Sequence, residues 1–114
     1  MTDIPEPEVM ASRYLISCLP EGHDNRSLFT VQVEYRGYGL WAVVNRTRLL
    51  GKDGTWAWGP DFENSDDPEK THQQWTADHR FDHDTAIRLA KEAAKGLSYR
   101  NYTVADALKE SSHA

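Results

Sequence analysis

At 114 residues the chain is long enough for one domain with an apolar core and too short for a second. Its composition, 39% hydrophobic and 27% charged with twelve aromatic residues, is that of a folded globular protein and excludes disorder of the whole chain. The net charge of −5 opposes general attraction to phosphate backbones, but it is segregated: residues 1–25 carry −4, 26–52 carry +4, 53–84 carry −7 and 85–114 carry +2.

Residues 1–12 hold Asp3, Glu6, Glu8 and two prolines and read as a flexible leader, without the basic start and apolar middle of an export signal. No apolar run approaches the roughly 20 residues that span a bilayer, so a cytoplasmic protein is expected. The single α+β domain is expected over residues 13–110. Arg13 to Leu19, closed by Pro20, suggests a first strand, and the lone cysteine, Cys18, is expected there as a small buried hydrophobe. Leu28 to Arg36 is the clearest strand. Phe29, Val31, Val33 and Tyr35 alternate with Thr30, Gln32, Glu34 and Arg36, the period of two that sends one row inward and the other toward water.

Gly37 and Gly39 supply the backbone freedom for a tight reversal into a third strand, Leu40 to Val44. Thr47 to Leu50 and Thr55 to Trp58, separated by Gly51-Lys52-Asp53-Gly54, read as strands four and five. Residues 59–81 carry Pro60, Pro68 and most of the acidic excess without periodicity, and read as a long acidic surface loop anchored by Trp75. Asp82 is an N-cap for a helix to Lys95, with Ala86, Ile87, Ala90, Ala93, Ala94 and Leu97 on one stripe and Gly96 as the stop. Thr103, with Asp106 three residues on, opens a short helix through about Lys109. The expected fold is therefore an antiparallel four- to five-stranded meander with one main helix on one face and a short C-terminal helix. Its expected core includes Leu15, Phe29, Val31, Val33, Leu40, Ala42, Ile87, Ala90, Ala94 and Leu97.

No nucleophile, metal or phosphate motif of high specificity is present, so no cofactor and no catalytic set is expected. Asp78, His79, Asp82, His83 and Asp84 mix imidazole with carboxylate, but the cap at Asp82 separates the two histidines; solvated residues at a helix start explain them better than a metal site. Two surfaces remain. The acidic segment, with Asp61, Glu63, Asp66, Asp67, Glu69 and Trp75, suits docking to a basic protein around an apolar anchor, which makes a non-enzymatic accessory or regulatory protein the leading expectation. The alternative is nucleic-acid binding by a basic sheet face in which Arg36, Arg46, Arg48 and Lys52 are interleaved with Tyr38 and Trp41. A bare sheet face or edge strand is also open to a second copy.

The order of a three-stranded meander followed by a helix, over about residues 28–96, is similar in outline to the arm-type DNA-binding domains of phage integrases and to the AP2 domain, which implies a sheet entering the major groove. The phrases Arg13 to Pro20, Gly39 to Val43, and Arg80 to Asp82 with Thr85 to Ala94 resemble small uncharacterised proteins of actinobacteria and their phages over residues 13–108. That resemblance implies an intracellular protein and brings no site residues with it.

Overall fold

Alternation along residues 30–35 has the consequence that periodicity dictates: in the computed structural model, which describes residues 3–58 and 67–111, Val31 and Val33 are fully buried while Gln32 and Glu34 are partly exposed. Five strands, β1 (Arg13–Ser17), β2 (Thr30–Tyr35), β3 (Trp41–Asn45), β4 (Arg48–Leu50) and β5 (Trp56–Ala57), pair in chain order as one antiparallel meander. The register sets Tyr14 opposite Val33, Ile16 opposite Val31, Val33 opposite Val43 and Tyr35 opposite Trp41. These rows form the face that packs against the main helix. A 3₁₀ turn, Arg26–Phe29, leads into β2 and buries Phe29.

The helix α1 (Pro68–Asp78) precedes the main helix α2 (His83–Lys95). The Asp82 carboxylate caps α2 by accepting from the Thr85 amide at 3.3 Å, and α2 lies across β1, β2 and β3. Ala86, Ala90 and Ala94 form its buried stripe. Side chains this short let helix and sheet approach closely, so close packing replaces bulk in the core. Leu97 then enters the core, and a small hairpin of β6 (Ser98–Tyr99) and β7 (Tyr102–Thr103) turns on Arg100 and Asn101, both left-handed with φ of 50° and 67°. The final helix α3 (Val104–Ser111) starts with a reciprocal cap. The Thr103 hydroxyl accepts from the Asp106 amide, and the Asp106 carboxylate accepts from the Thr103 amide, each at 3.1 Å. Val104 and Ala107 complete the core. Among the described residues no helix is long and apolar enough to cross a membrane.

Several expectations are corrected. The region expected as a loop over residues 59–81 contains α1, capped by Asp67, which accepts from the Lys70 amide at 3.2 Å, with Pro68 in the first turn; residues 59–66 lie outside the described residues. Leu15 is 53% exposed and Leu40 is 41% exposed, so neither is core. Leu15 alternates out of phase with Tyr14 and Ile16. Arg36 donates its amide to the Leu40 carbonyl, which makes Trp41 rather than Leu40 the next inward residue. Ala42 is buried, but it pairs with Glu34 on the face away from α2. Cys18 is exposed, because β1 ends at Ser17 and the following bend turns Leu19 inward instead.

Candidate functional site

The meander sorts the basic residues by strand end. β3 begins beside the Arg36–Leu40 turn and ends at Arg46-Thr47, and the Gly51–Thr55 turn after β4 returns to the first end. Arg46 and Arg48 therefore lie at one end of the sheet, with Arg36, Tyr38 and Lys52 at the other. Trp41 belongs to neither surface. It is only 5% exposed and packs against Tyr35, His83 and Tyr14, with ring centroids 5.1, 5.2 and 5.6 Å away. The expected continuous strip is thus two separate groups above a buried tryptophan.

At the Arg46 end the chain builds a surface from three distant segments. Arg46 occupies the β3–β4 turn with a left-handed φ of 59°, and its guanidinium lies 5.2 Å from the centre of the Tyr99 ring. Arg100, on the β6–β7 turn, lies 5.4 Å from the same ring. The guanidinium of Arg48 stands 5.8 Å from the Trp56 ring and 6.0 Å from that of Trp58. All four are cation–π distances. Asn45 fixes this end from below. Its buried amide donates to the Thr30 carbonyl at 3.0 Å, and its oxygen accepts from Arg48 at 3.3 Å, so the side chain of Arg48 is held over the tryptophans. Trp58 is 77% exposed and Tyr99 is also open to solvent. Among the described residues none of Arg46, Arg48 and Arg100 forms an ion pair. Guanidinium groups with no ion pair among the described residues and exposed aromatic faces thus lie at the same end of the sheet, a surface that can stack planar groups and attract anions.

Elsewhere the charges serve local structure. Arg36 is paired with Glu34 at 2.9 Å, and Tyr38 is fully exposed between Gly37 and Gly39. Of the acidic surface, Asp61, Glu63 and Asp66 lie outside the described residues, Asp67 caps α1, and Glu69 sits in its first turn. Trp75 is half-buried and stacks on His79, the residue that closes α1, with centroids 4.1 Å apart. The histidines separate. His79 is buried and its Nδ1–H donates to the Trp75 carbonyl at 2.6 Å, while His83 pairs with Asp84 at 3.0 Å and packs edge-on against Trp41. Asp82 is held below the usual carboxylate range by the Thr85 hydroxyl and amide. Among the described residues no three His, Cys, Asp or Glu side chains are grouped to hold a metal ion.

Sequence reasoning named Arg46 and Arg48 but missed Tyr99 and Arg100, and it did not place Trp56 and Trp58 beside the arginines. The one local signal was an Arg-Asn pair between two tyrosines, the composition of a tight hairpin turn. No family model, curated protein or solved structure matches the chain.

Proposed function

We propose that the protein is a non-enzymatic binding module for single-stranded nucleic acid, held on the platform of Arg46, Arg48, Arg100, Trp56, Trp58 and Tyr99. The observation that carries the proposal is the interleaving of guanidinium groups with aromatic rings, Arg46–Tyr99–Arg100 and Arg48–Trp56–Trp58, of which Tyr99 and Trp58 are open to solvent and Trp56 is partly buried against the core. Unstacked bases add to exposed rings at about 1–3 kcal/mol each, and neighbouring cations take the phosphates between them. A duplex hides its base faces, so single strands gain the stacking term and duplexes do not. The overall charge of −5 repels a polyanion at long range. Affinity therefore comes from contact and falls with salt: three phosphate contacts on a single strand give a log–log salt slope of about −2.

Fluorescence anisotropy with a short mixed-sequence oligonucleotide, as DNA and as RNA, tests this. The expected result is binding at low salt, about tenfold weakening by Trp58→Ala, a shallower salt slope in Arg46→Ala/Arg48→Ala, and weaker binding of the duplex. No binding at low salt, or binding indifferent to these variants, overturns it.

A further inference from the structure

At the opposite end of the sheet, two clefts of about 460 Å³ and about 450 Å³ meet at Leu40, Lys52 and Arg80 and form one groove between α1 and the start of α2. Its base is apolar, from Leu40, Phe81 and half-buried Leu89. Lys52, Arg80 and Arg88 all line the same cleft, and among the described residues none of them forms an ion pair. The carboxylate of Asp82 also lines it, but that group caps the Thr85 amide and is not within ion-pair distance of any of the three.

Arg80 is the odd residue. It is partly buried, one arm of its guanidinium donates to the His79 carbonyl at 3.1 Å, and no carboxylate answers its charge among the described residues. Burial and the nearby charge of Arg36 both act against its charged form. A partly buried guanidinium with no carboxylate within ion-pair distance among the described residues is an electrostatic imbalance that an anion in the groove relieves.

We propose that the α1–α2 groove binds a small molecule with a phosphate group on a flat apolar body, the phosphate among Lys52, Arg80 and Arg88 and the ring on Leu40 and Leu89. A phosphate monoester fits better than a carboxylate, because it carries close to two charges and three acceptor oxygens for the three cations that line the cleft. The cleft volume is that of an ordinary small-ligand site, mostly apolar with a few polar groups.

The site is distinct from the platform, and amide chemical-shift titration of the full chain with phenyl phosphate keeps the two apart. The expected result is saturable shifts at Lys52, Arg80, Thr85 and Arg88, with inorganic phosphate binding at least tenfold more weakly and phenol silent. Lys52→Gln/Arg88→Gln, at two exposed positions, should weaken binding at least tenfold, since each loses a charge-assisted hydrogen bond. Arg46→Ala/Arg48→Ala should leave it unchanged. Shifts no larger than those from sodium chloride of equal ionic strength, inorganic phosphate binding as well as phenyl phosphate, or shifts that cluster at Trp58 and Tyr99 would each overturn the proposal.

Discussion

Replacing Gly51 with alanine should destabilise the protein, against the usual direction of such a change. Gly51 has no left-handed backbone angle, and at such positions Gly→Ala commonly stabilises by about 0.4–1 kcal/mol by restricting the unfolded chain. Here a Cβ would meet Asp53 Oδ1 at 2.9 Å and His79 Nε2 at 3.2 Å. Asp53 is exposed and can swing away, at the cost of the hydrogen bonds its Oδ1 accepts from the Thr55 amide and hydroxyl. His79 cannot, because it is buried, stacked on Trp75 and bonded through Nδ1 to the Trp75 carbonyl. The neighbouring Lys52 amide donates to the Asp78 carbonyl at 2.8 Å, so backbone movement at Gly51 also loosens the end of α1. Overpacking of this kind costs about 1–3 kcal/mol, leaving a net loss of about 1–2 kcal/mol after the unfolded-state gain. Urea unfolding followed by tryptophan fluorescence measures it. In the double variant Gly51→Ala/His79→Ala the losses should fall short of additive by about 1 kcal/mol. If Gly51→Ala alone proves stabilising, the turn and α1 do not approach each other as described.

Other expectations follow from the same contacts. Asn45→Ala leaves the Thr30 carbonyl without its partner in a buried place and should cost about 1–3 kcal/mol in urea unfolding; an unchanged midpoint would contradict the role given to Asn45. Ala90→Leu forces α2 off the sheet and should lower stability by about 1–3 kcal/mol, so a rise in Tm would show the helix packs elsewhere. Among the described residues three carboxylates lie below their ordinary range in the folded state: Asp53 through the Thr55 hydroxyl, Asp82 through the Thr85 hydroxyl, and Asp106 through the Thr103 amide. Depressed folded values mean that their contribution is present above the unfolded value of about 4 and is lost as pH falls through the folded ones. Stability measured by denaturant melts should therefore decline below about pH 4, and less steeply in Asp82→Asn/Asp106→Asn; stability that rises on acidification would contradict the assignment.

What the sequence disclosed was whatever a few neighbouring residues determine. The inward row of β2, the Asp82 cap with its alanine stripe, and the Thr103–Asp106 box depend on local spacing, and all are present. The run Leu40-Trp41-Ala42-Val43-Val44, which leads into β3, is apolar on both faces, so alternation cannot choose between them; the hydrogen bond from Arg36 to Leu40 across the turn does. α1 holds only Trp75 and Ala77 as apolar residues and so has no stripe to read, and its stability comes from the Asp67 cap and the Trp75–His79 packing. The platform was half legible for a different reason. Its parts come from residues 46–48, 56–58 and 99–100, and only the meander and the β6–β7 hairpin bring them together.

Photocrosslinking of the protein to a 5-bromouracil-containing single strand, with the attachment sites mapped by mass spectrometry, tests the platform most directly. Attachment should fall on Trp56, Trp58 and Tyr99, because those rings meet the bases. Attachment at Tyr38 or along α1, or none above a level that excess salt leaves unchanged, would contradict the assignment.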